Sequence, residues 1–184
     1  MKAGFASATS VRMSGSLTTG SQHVALDLGM LRNGDESGTL SVSATHLTLV
    51  IVGGQAYEYV SKDFFKTIQQ ASHVPASACA TICGKYISVS AGPFSSFNLP
   101  GMTHQIESKM PVVTSVSHIS STTYEGQPAY ELSGEGVRLY LAKNGTHYLL
   151  GMVAPTKFGT LNFSQWNAVS PISAPPTSKI VNIG

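Results

Sequence analysis

From Gln22 to Leu31, Val24, Leu26, Leu28 and Met30 alternate with Ala25, Asp27, Gly29 and Leu31. Successive side chains of an extended chain point to opposite faces, so this spacing of two predicts a strand with one apolar side. Leu40 and Val42 continue the pattern on a run from Ser37 to Ser43, and Asn33-Gly34-Asp35 between the runs offers the positive-φ residues of a hairpin turn. Leu47 to Val52 and Ala56 to Val60 flank Gly53-Gly54 and predict a second hairpin. Tyr86 to Val89, Val112 to Ile119, Ala129 to Leu132, Val137 to Ala142, His147 to Val153 and Thr160 to Phe163 read as further strands. Glu125-Gly126, Gly134-Glu135-Gly136 and Asn144-Gly145 punctuate the second half at roughly ten-residue intervals, the rhythm of an antiparallel meander.

Between Ser61 and Gly84 the apolar spacing changes to three and four. Phe64, Phe65, Ile68 and Ala71 fit one side of a short helix, with the Ser61 hydroxyl placed to accept from an unpaired amide at its start. A second short helix is expected after it, with Pro75 in the first turn and Gly84 at its end. Gly92 to Met102 carries Phe94, Phe97, Leu99 and Met102 among Gly, Pro and Ser, and reads as apolar but irregular. Phe5 to Val11 reads as the remnant of an N-terminal helix, and the Pro-rich stretch from Ser170 as a tail docking as an edge strand at Ile180-Val181.

Composition narrows the class. The 184 residues fit a single domain, 1–184, large enough to bury its own core. Only 11% are charged, against about a quarter in ordinary soluble domains, and the abundance of Ser, Thr and Gly favours an all-β or α+β fold. A net charge of +2 from scattered Lys and Arg argues against nucleic acid as a partner. No run approaches the ~18 apolar residues of a spanning helix, and Met1 and Lys2 lead directly into a β pattern, not a signal peptide.

Little in the sequence points to catalysis. No two of His23, His46, His73, His104, His118 and His147 stand three or four apart, so none forms a helical metal pair, and neither a metal nor another cofactor is expected. Gly-x-Ser-x-Gly, Ser-x-x-Lys and phosphate-cradling Gly-rich loops are absent, and the chain reads as non-enzymatic. Asp27, Asp35 and Glu36 are read as the solvent face and turn of the first hairpin. Cys79 and Cys83 stand four apart, which on a helix places their Cα atoms about 6 Å from each other, within reach of a disulfide. A structural bridge in an oxidising compartment is favoured over two buried thiols; so small a loop stabilises by about 2 kcal/mol. Asn144-Gly145-Thr146 and Asn162-Phe163-Ser164 match the glycosylation triplet, the first being better explained as a turn.

The order of several short motifs carries a resemblance. The hairpin around Asn33-Gly34-Asp35 leads to Gly53-Gly54-Gln55-Ala56-Tyr57 and Asp63-Phe64-Phe65. Then come Gly84-Lys85-Tyr86-Ile87, Tyr124-Glu125-Gly126-Gln127-Pro128-Ala129-Tyr130 and Leu139-Tyr140-Leu141-Ala142. Gly145-Thr146-His147-Tyr148-Leu149 and Leu161-Asn162-Phe163-Ser164-Gln165-Trp166 close the series. From about Val11 to Val181 the chain resembles the LolA-like bacterial lipoproteins of the LprG and LppX type. The resemblance implies an α+β fold: a strongly curved antiparallel sheet of about ten strands, an open or half barrel, with short helices covering its concave face around an apolar cavity. It also implies export to the bacterial cell envelope and a lipidated Cys as membrane anchor; no such Cys stands near Met1.

The family's cavity follows no strict motif, so residues are assigned by position. Leu26, Leu28, Leu40 and Leu139 on strands, Phe64 and Phe65 on the covering helix, and Phe94 and Phe97 at the mouth are the expected ligand-binding set. Phe94, Phe97, Leu99 and Met102 would alternatively plug the core. The expected function is an extracytoplasmic carrier of lipids or other lipophilic ligands; the alternative is an envelope scaffold or sensor that binds proteins without lipid.

Overall fold

A computed structural model describes residues 2–19, 22–43, 45–94, 98–109, 117–134, 136–154 and 159–182. Their strands form one curved sheet that does not close. In chain order they are β1 (Ser10–Thr19), β2 (Gln22–Leu31), β3 (Glu36–Val42), β4 (Thr45–Val52), β5 (Gln55–Tyr59) and β6 (Tyr86–Val89). The second half supplies β7 (His118–Tyr124), β8 (Gln127–Gly134), β9 (Val137–Ala142), β10 (Leu149–Ala154), β11 (Gly159–Ser164) and β12 (Ile180–Val181). The spatial order is β12-β6-β5-β4-β3-β2-β1-β11-β10-β9-β8-β7. Two meanders are thus joined through the β1–β11 pair, Met13 opposite Phe163 and Gly15 opposite Leu161.

The sheet departs from the sequence expectation in two ways. It has twelve strands where about ten were expected, and it is mixed where a purely antiparallel sheet was expected: β12 runs parallel to β6, Ile180 beside Tyr86. The tail does dock at an edge, but it leaves β11 at the middle of the sheet and arrives in the direction of β6. The added strand is β1. Val11, Met13 and Leu17 keep the spacing of two, yet Gly15 and five Ser or Thr residues dilute the signal. The expected strand from Val112 lies largely outside the described residues; β7 starts at His118.

Helix α1 (Lys2–Ser7) stops earlier than expected and leaves Val11 to β1. Arg32 Nε donates to the Ala8 carbonyl at 2.5 Å and the same guanidinium reaches the Phe5 carbonyl, covering acceptors that the helix end leaves unpaired. Helix α2 (Lys62–Ser72) begins where Ser61 Oγ accepts from the Phe64 amide at 3.0 Å. A 3₁₀ turn at Ala76–Ala78 leads into α3 (Cys79–Ile82), where Cys79 and Cys83 are joined with Cα atoms 4.8 Å apart.

The segment expected to be irregular, Gly92 to Met102, instead opens helix α4 (Leu99–Lys109) after a 3₁₀ turn at Gly92–Phe94. Asn98 caps it, its Oδ1 accepting from the Gly101 amide at 2.7 Å, and Pro100 sits in the first turn, where its missing amide costs nothing. Among the described residues no helix is long and apolar enough to cross a membrane.

Candidate functional site

Strand register gathers one apolar face. Met13 lies opposite Leu28, which lies opposite Gly38, which lies opposite Leu49. One step along, Leu26, Leu40 and Leu47 form a parallel row, and Leu139 adjoins Leu132 and Met152 in the second meander. Gly38 is required in the middle of this face: a Cβ there would stand 2.0 Å from the Asp27 carbonyl oxygen. Phe5 of α1 and Ala8 just after it, together with Leu99 of α4, share the buried cluster of these strands, and Phe94 and Met102 pack against it.

The expected ligand-binding residues fall into two groups. Leu26, Leu28, Leu40 and Leu139 share that cluster with Phe94 against it. Phe65 belongs to a second cluster with Val60 and Ile87, and Phe64, Ile82 and Cys83 pack around that one. Val89 touches both. The elements that share the Leu28 cluster are therefore α1 and α4, while the segment from Ser61 to Gly84 packs with Val60 and Ile87 and its helix α2 comes against β4. Phe97 lies outside the described residues. Leu28 is wholly inaccessible to water.

One group on this face is neither apolar nor partnered. Glu36 opens β3 opposite Met30 on one side and Ile51 on the other, all three buried. The carboxyl is 0% exposed, and among the described residues neither Oε1 nor Oε2 has a hydrogen-bond partner. Burial pushes its pKa from 4.5 up to about 7, because the charged form has lost water without gaining a donor. Burial also raises the pKa of Glu58, which lies on the same face opposite Leu49 and Ile87.

The expectation that Glu36 belongs to a solvent-facing turn is thus corrected. Its neighbour Asp35 does serve the turn, with Oδ2 accepting from Asn33 Nδ2 at 2.7 Å and Oδ1 from the Gly53 amide at 2.9 Å. Alternation dictates the rest. With Leu40 and Gly38 inward, Glu36 two residues earlier must also point inward. Alternation along β3 outweighs the usual exposure of a carboxylate.

Two clefts among the described residues lie elsewhere. One of about 350 Å³ is lined by Pro128, Ala142, Tyr148, Leu150, Phe163 and Trp166, with the Tyr148 ring stacked on Trp166 at 4.6 Å. The other, about 330 Å³, borders the β5–β6–β12 edge at Gln55, Tyr57, Ser88 and Ile180. Neither is lined by any of the expected ligand-binding residues. In comparisons with known proteins, no family model and no curated protein matches the chain.

Proposed function

We propose that the protein is an extracytoplasmic binder or carrier of lipids or other lipophilic ligands, and that the apolar face around Leu26, Leu28, Leu40 and Leu139 receives the acyl chains. The observation that carries this reading is that Phe5 of α1 and Leu99 at the start of α4 share one buried cluster with the apolar rows of a long curved sheet; on this reading these two small elements cover that face. Such a cover can part without breaking the sheet. On this reading the apolar face is the concave one and the helices are its lid. The order of motifs shared with LolA-like lipoproteins supports the assignment to the bacterial cell envelope, and the Cys79–Cys83 bridge fits an oxidising compartment. Each methylene transferred from water to the face contributes about 0.8 kcal/mol, so a chain of ordinary length offsets the cost of opening. A membrane surface, reached through a lipid anchor upstream of these residues, would be the donor or acceptor of the ligand.

A second reading has its own observation. The closed packing at Leu28 is what a scaffold or sensor module without lipid would show. Uptake of a fluorescent monoacylglycerol separates the two. The carrier binds it at micromolar concentration, and Leu139→Trp lowers the uptake while leaving the β-sheet circular dichroism intact. No uptake by the wild type leaves the scaffold.

A further inference from the structure

We propose that Glu36 is the polar anchor of the lipid site, receiving the hydroxyl or amine of a lipid head group and discriminating against anionic lipids. The inference rests on the carrier reading and names its ligand class. The carboxyl is aimed into the apolar face between Met30 and Ile51, fully buried, with both oxygens unbonded.

A buried polar group normally finds a partner within its own chain, because leaving one unmade costs the full desolvation of the group. Asp35, one residue earlier, has two such partners, so donors are within reach of this hairpin end. Glu36 has none, and its raised pKa reflects the same isolation. No donor among the described residues reaches it, so a ligand from outside the fold can supply one. A hydroxyl or ammonium supplies it, while a carboxylate or phosphate brings only acceptors and a like charge. Glu58 on the same face adds to that repulsion. When the cover of α1 and α4 parts, acyl chains lie along the leucine rows and the head group meets the carboxyl.

The test compares two lipids of equal chain, 1-oleoylglycerol and oleate, below their micelle concentrations at about pH 8, where a solvated carboxylate is ionised. The wild type is expected to bind 1-oleoylglycerol at least about tenfold tighter than oleate, the preference that one charge-assisted hydrogen bond supplies. Glu36→Leu should bring the two affinities near parity. Glu36→Gln, whose amide both accepts and donates, should keep 1-oleoylglycerol binding and gain oleate binding. Equal affinities in the wild type, or a preference that survives in Glu36→Leu, overturns the anchor and leaves the carrier. Binding of neither lipid by the wild type overturns the carrier reading and the anchor with it.

Discussion

The two faces of the sheet handle polar groups differently. On the face opposite the leucine rows, Arg12 reaches Asp27 at 2.6 Å, and both side chains are more than two-fifths exposed. There too Tyr124 lies across Gly151, stacks on Tyr140 at 4.1 Å, and donates its hydroxyl to Asn162 Oδ1 at 2.5 Å. On the apolar face Glu36 is fully buried and its carboxyl has no partner among the described residues. Folding stability accounts for the first arrangement and is diminished by the second. A residue that the fold would be more stable without is a reason to look for what the protein binds.

The largest way to break this contrast is to hollow the apolar face. Leu28→Ala removes a side chain with no exposure from the middle of the sheet, opposite a glycine that cannot fill the gap. A loss of about 2–5 kcal/mol in denaturant unfolding is expected, toward the upper end because Gly38 has no side chain to relax inward.

Glu36→Leu tests the other side of the contrast and should stabilise. The folded pKa of about 7 lies above the ordinary 4.5, so between these values the folded state keeps a proton that the unfolded chain has released. Wild-type stability therefore falls as pH rises from about 4.5 to about 7 and levels off above. The gap corresponds to about 3 kcal/mol, which Glu36→Leu should recover at about pH 8 and which should vanish at about pH 4. Urea unfolding at the two pH values reads the difference, and the variant's stability should be flatter across that range. Glu58, raised in the same direction, leaves a smaller residual slope.

On the opposite face the effects are smaller. A methyl at Gly151 would stand 2.4 Å from Tyr124 Cζ, so Gly151→Ala must lift the ring from the sheet. A loss of about 2 kcal/mol is expected, with a change in the near-ultraviolet dichroism of the tyrosine pair. Smallest is Arg12→Ala. The Arg12–Asp27 pair is exposed, so less than about 1 kcal/mol should be lost, and the difference should shrink in high salt.

Much of the sheet was legible because alternation and turn chemistry are local. The Val24 to Met30 face, the turn at Gly53-Gly54 and the Ser61 cap all read directly from spacing. β1 was missed because Gly15, interrupting its apolar series, is a strand-breaking signal that tertiary pairing with β2 and β11 overrides. α4 was missed because Pro100 and Gly101 suggest a loop, although both fall in the first turn, where a helix tolerates them. The parallel docking of β12 depends on where a long tail arrives, which no local pattern encodes. The shared inward face of Leu26, Leu28 and Leu40 was legible from periodicity. Their separation from Phe65 was not, because which helix covers which strands is decided by packing between distant segments. Glu36 was passed over although its position in the strand placed it inward.

Native mass spectrometry of protein purified gently from a bacterial host that exports it tests the carrier account most directly. The account predicts a retained mass matching an acyl lipid with a hydroxyl- or amine-bearing head group, lost on denaturation. The bare polypeptide mass, with no uptake of an added monoacylglycerol, would contradict it.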